Sequence, residues 1–140
     1  MTCRHCHPGD AGSQAIDAAE SAAEAVRVLN HATLPAAGGL VWPADVYTVL
    51  GSLALVAARL PQAFAQLEAF LEGRVEAAGV RIVDGEFVGD PQAAAAVVSH
   101  WLQAATTAAG QLHRSLDAAQ NTLTWAAATE EDPDPAADPT

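Results

Sequence analysis

The sequence predicts an all-α protein: a helical bundle of three shorter helices and one long C-terminal helix. Three observations lead there. Alanine, the best helix former, occupies 34 of the 140 positions. Apolar residues recur at alternating spacings of three and four along most of the chain, the period that places them on one helix face. Only one segment, residues 80–88, reads as strand. Apolar residues make up 51% of the chain but Phe, Trp and Tyr together number seven. Packing therefore has to come from close backbone approach and not from bulky side chains.

Residues 1–12 form a polar leader containing Pro8, Gly9 and Gly12. Asp10 or Ser13 suits the capping position of a first helix, which runs to about Asn30. Asp17, Glu20, Glu24, Arg27 and His31 make its polar stripe, while Ile16, Ala19, Ala23 and Val26 occupy another face. The stretch TLPAAGGLVWP (33–43) stops the helix with two prolines and a Gly-Gly pair. Its Leu34, Leu40 and Trp42 are expected to fold back on the core. Pro43 fits the first helical position, where its missing N–H has no intrahelical partner to lose. Val46, Leu50, Leu53, Ala57 and Leu60 then define a second helix. Pro61 either kinks one long helix or opens a third, and the run 61–79 fits a third. There Phe64, Leu67, Leu71, Val75 and Ala78 face inward and Glu68, Glu72 and Glu76 outward, with Gly79 as the C-terminal cap.

The segment VRIVDGEFV (80–88) carries Asp84-Gly85 between β-branched and aromatic residues, the signal of a small β-hairpin; an irregular connection fits equally. Asp90-Pro91 opens the last helix with a capping carboxylate and a proline at the first position. Nothing stops that helix before about Thr129. Val98, Leu102, Ala105, Ala109, Leu112, Leu116, Ala119, Leu123 and Ala126 follow one another at spacings of four and three. This is a heptad seam of the coiled-coil kind, with Leu102, Leu112, Leu116 and Leu123 as candidate interaction residues. The helical domain thus spans 13–129. Residues 130–140 hold five acidic residues and three prolines; such a tail cannot bury a core and is expected to be disordered.

The six basic residues are all Arg, against 17 acidic ones, for a net charge of −11. Nucleic-acid binding is disfavoured, because it rests on basic side chains neutralising phosphates; an anionic membrane surface is disfavoured for the same reason. No segment reads as a signal peptide. Residues 46–58 are uncharged but number thirteen, short of the roughly 20 that cross a bilayer. Residues 91–112 are interrupted by Gln92, Ser99, Gln103, Thr106, Thr107 and Gln111. The expectation is a soluble, cytoplasmic protein.

The leader reads Cys3-Arg4-His5-Cys6-His7. Its C-x-x-C-H spacing is that of covalent haem attachment, but neither an export signal nor a pocket accompanies it. Zinc is the sharper reading: Cys3, Cys6 and His7, or His5 in its place, supply three ligands, and a fourth comes from elsewhere. No other cofactor is indicated. His100 and His113 lie about 20 Å apart along one helix and cannot share a metal. His113 and Asp117, at i and i+4, read as a surface pair. Glu68, Glu72 and Glu76 read as a solvated ladder, since no Glu-x-x-His accompanies them to build a helical di-metal site. Phosphate-loop, G-x-S-x-G and H-E-x-x-H motifs are absent, so no catalytic residues are assigned. Trp42, Trp101 and Trp125 read most simply as core.

The segments LNHATLP (29–35), WPADVYTVLGSLALVAARLPQ (42–62) and LDAAQNTL (116–123) resemble those of uncharacterised small all-helical proteins from high-GC bacterial genomes. The resemblance covers the central part of the chain. It implies the same helical layout and carries no activity or site residues with it. The expected function is a non-catalytic helical module for self-association or for a protein partner, acting through the long seam. The alternatives are a small zinc-binding protein using Cys3 and Cys6, and an acidic inhibitor of a basic-surfaced partner.

Overall fold

The computed structural model describes residues 10–130, with side chains for 12–124. The Cys3–His7 cluster, the tail beyond Glu130 and the side chain of Trp125 lie outside the described residues. Helix α1 spans Asp10–Ala32, α2 Pro43–Glu76 and α3 Pro91–Glu130, with one 3-10 turn at Pro35–Ala37. Every regular element among the described residues is helical.

The expected count of four helices is corrected to three among the described residues, because Pro61 sits inside α2. Proline removes the one N–H that would reach the carbonyl of Ala57, yet its fixed φ is itself helical. Packing of the residues on both sides against α3 keeps the 34-residue helix in one piece. The hairpin at 80–88 is corrected too, since no strand forms there. Val80, Ile82 and Phe87 are half-buried, so side-chain burial shapes the loop in place of a two-stranded ladder, which is marginal alone. Gly85 and Gly89 adopt φ of 93° and 79°. The Gly85 N–H donates to Asp84 Oδ1 (2.8 Å), and the Asp90 N–H to the Phe87 carbonyl (3.0 Å).

The chain divides into two compact units, Met1–Trp42 and Pro43–Thr140. In the first, Arg27 forks onto Glu24 through Nε and Nη2 at 2.8 and 2.7 Å. This guanidinium holds the Glu24 carboxyl below its ordinary value. After α1 the 3-10 turn closes at Gly38, whose φ of 96° is left-handed and whose N–H donates to the Pro35 carbonyl. Leu34, Leu40 and Trp42, expected in a core, are exposed.

The second unit is a pair of packed helices. His113 of α3 meets Ala54 of α2, Gln120 meets Tyr47, and Gln103 meets Glu68. Rising numbers on one helix match falling numbers on the other, so the pair is antiparallel. Its buried residues are Ala54, Ala57 and Val75 on α2, with Ala95 and Ala109 on α3. Four of these five are alanine, which lets the backbones approach closely in place of a thick side-chain layer.

The helix ends explain themselves. At the end of α2 the Gly79 N–H reaches the Arg74 carbonyl (2.8 Å) and the Ala78 N–H reaches that of Val75 (3.0 Å). These are the two bonds of a Schellman cap. The left-handed position, expected to fall to Gly79, is taken by Ala78 with φ of 52°. At the start of α3, Asp90 Oδ1 accepts from the Ala93 N–H at 2.9 Å, as an N-cap carboxylate should.

Candidate functional site

On α3, the side turned to α2 carries Ala95, Ser99, Leu102, Thr106, Ala109, His113, Leu116, Gln120 and Leu123, all buried or half-buried. These residues also alternate at four and three. They share Leu102, Ala109, Leu116 and Leu123 with the seam read from the sequence, but the other column is displaced by one residue. Ser99, Thr106, His113 and Gln120, spaced by seven, form it; Val98, Leu112 and Ala119 are exposed, and Ala105, half-buried, stands at the edge beside Thr106. Leu112 is left 49% exposed.

Helix α2 can hold His113 and Gln120 of this column because its own backbone supplies acceptors. His113 donates from Nδ1 to the Ala54 carbonyl at 3.1 Å, which requires a proton on Nδ1. Gln120 donates from Nε2 to the Tyr47 carbonyl at 3.2 Å. A Cβ at Gly51 would collide with the Gln120 amide, so the glycine is where this side chain reaches the backbone. His113 was read as a surface partner of Asp117; Asp117 instead accepts from Asn121 at 3.2 Å. The seven-residue spacing of Ser99, Thr106, His113 and Gln120 was visible in the sequence. Next to an equally regular apolar column it carried no signal.

The two helices enclose a groove on one face. It is open, about 610 Å³, and lined by Glu68, Glu72, Glu76, Gln92, Ser99 and Gln103 among others. Gln103 donates from Nε2 to Glu68 Oε1 at 3.3 Å. His100 lies at its edge, its ring edge-on to Trp101 with centroids 5.3 Å apart. Among the described residues no group of three or more His, Cys, Asp or Glu is placed to hold a metal ion. Cys3, Cys6 and His7 fall outside that set.

The opposite face is apolar. At about 100° per residue, Val56, Leu67 and Phe70 lie across α2 from Glu68, Glu72 and Glu76. Val97, Val98, Trp101 and Leu112 lie across α3 from Gln92, Ser99 and Gln103. Since the latter sets share the groove, the apolar sets share the other side of the pair. All seven large side chains are exposed, Leu67 by 58%, Phe70 by 70% and Trp101 by 66%. Trp101 is thus a surface residue and not core. Along this face the chain is almost uncharged: residues 46–67 contain only Arg59, and 91–112 no Asp, Glu, Lys or Arg. Helix α2 is long and apolar enough, by length and composition, to cross a membrane, and 11% of its most apolar window is buried.

Of the residues singled out beforehand, Leu102, Leu116 and Leu123 are half-buried on the side of α3 turned to α2, and Leu112 lies on the apolar face. Comparison with protein-family models, with curated proteins and with solved structures finds no match.

Proposed function

We propose that the α2–α3 pair is a non-catalytic interaction module that binds a protein surface through its apolar face. The observation that supports this is the set of seven large apolar side chains exposed together on one side. Monomeric soluble proteins rarely expose contiguous apolar patches beyond a few hundred Å². From the size of these side chains and their exposure, the patch amounts to roughly 700 Å². Burying it would contribute on the order of 15 kcal/mol gross, against about 4–15 kcal/mol lost in ordering the two partners. The balance suits a reversible association.

Titration with an apolar fluorescent dye tests the reading. At nanomolar concentration, where single chains prevail, the full chain should bind the dye, and Phe70→Glu and Trp101→Glu should each lower binding at least twofold with helix content unchanged by circular dichroism. Equal dye binding by the parent and both variants would sink it.

A further inference from the structure

We infer that the occupant of the apolar face is a second copy of this chain, packed face to face across a two-fold axis that passes by Ala63 and Ala105. The inference rests on the interaction reading above and names its partner.

Three observations carry it. The first is self-complementarity. On α2 the face runs Val56, Ala63, Phe70, and on α3 Val98, Ala105, Leu112, each in steps of seven. The middle residue of each triplet is alanine and both ends are large. A two-fold axis through the middle exchanges Val56 with Phe70 and Val98 with Leu112. The bulky end of each copy, with Leu67 and Trp101, then lies over the Val56–Leu112 end of the other. An isologous interface needs this self-matching, and the central alanines let the helices close.

The second is area. About 700 Å² per copy approaches the roughly 800 Å² per partner of a standard stable interface. The apolar stripe of α1, by contrast, is Ile16, Ala19, Ala23 and Val26, with two residues larger than alanine.

The third is charge. A chain of net charge −11 repels its own copies unless they meet where no carboxylate lies. Glu68, Glu72 and Glu76, which lie along the same stretch of α2, line the groove on the other side. By the same 100° spacing the cations Arg59 and Arg74 share this side of α2, so the contact sets no acidic pair against itself.

Sedimentation equilibrium on the full chain, with a cysteine cross-link, tests this. The parent should show the mass of two chains in the micromolar range. Leu112→Glu and Ala63→Glu, the latter facing its own counterpart at the axis, should each weaken association at least 100-fold while helix content is kept. Leu112→Gln serves as a milder variant if the charge disturbs folding. In a Cys3→Ser/Cys6→Ser background under an oxidant, Ala63→Cys should link two chains and Gln92→Cys, on the groove face, should not. A single-chain mass at every concentration overturns the inference, as does cross-linking through Gln92→Cys alone. A monomer that still binds the apolar dye overturns only the second copy and leaves an outside protein as occupant. A monomer that excludes the dye, or one that binds phosphatidylcholine vesicles through Trp101, overturns the interaction reading as well.

Discussion

Single residues at the helix ends set where the α2–α3 pair begins and stops. Asp90 satisfies a backbone N–H that α3 cannot satisfy for itself, at 2.9 Å. Asp90→Ala is expected to lower stability by about 1 kcal/mol, read from the denaturant midpoint at unchanged slope. Ala78 does the reverse, because its φ of 52° brings Cβ against the following carbonyl. Ala78→Gly should raise stability by roughly 1 kcal/mol in the same assay. In α1 the Arg27 fork lowers the Glu24 pKa. A carboxyl whose folded pKa is depressed contributes stability above its unfolded value and loses it as pH falls through the lowered one. Both side chains are exposed, so the effect on folding is slight. The visible consequence is a Glu24 titration midpoint that moves back up in Arg27→Gln, followed by NMR.

At the scale of elements, three positions in α2 are set against their own helix. Pro61 withholds an N–H in the interior, and Pro61→Ala should stabilise the protein by about 1–3 kcal/mol. A lower thermal midpoint would mean that the ring itself packs against α3. Gly73 has open space where a Cβ would go, and Gly73→Ala should add about 0.5–1 kcal/mol. Gly51→Ala has the same propensity gain, but the Gln120 amide would have to swing aside and give up its bond to the Tyr47 carbonyl, which offsets it. Much of this helical layout was legible in advance. The prolines at 43 and 91 and the carboxylate at 90 act locally, and local chemistry is readable from neighbours. Pro61 reads as a helix start in the sequence, yet a proline that breaks an isolated helix is tolerated when both flanks are packed on a partner. In the sequence the turn at 84–85 fits hairpin and loop alike, because the choice depends on what Val80, Ile82 and Phe87 find to pack on. The apolar face was half legible: Val98, Ala105 and Leu112 were recognised as periodic, but a stripe wider than one helix can cover does not say which edge its neighbour takes. Trp101 stood on the uncovered edge.

For the molecule as a whole, charge and apolar surface are separated along the sequence and around the helix pair. If copies meet through the uncharged face, the remaining carboxylates repel at a distance, and added salt screens them. Self-association should therefore strengthen as ionic strength rises. An acidic inhibitor held to a basic partner would behave oppositely, so the sign of the salt dependence in sedimentation separates the two. The seam between α2 and α3 has a different consequence. Alanine against alanine is nearly featureless along the axis, and its heptad spacing repeats every seven residues, about 10 Å. Left to the alanines, one helix could slide past the other by a full repeat and find an almost equivalent fit. What differs from one repeat to the next is the change between alanine and leucine along Ala95, Leu102, Ala109 and Leu116 and, beside it, the polar column, in which serine, threonine, imidazole and amide reach to different lengths. The imidazole of His113 on the Ala54 carbonyl and the Gln120 amide over Gly51 work as the notches of a ratchet, and shortening both would free the pair to slip without unwinding either helix.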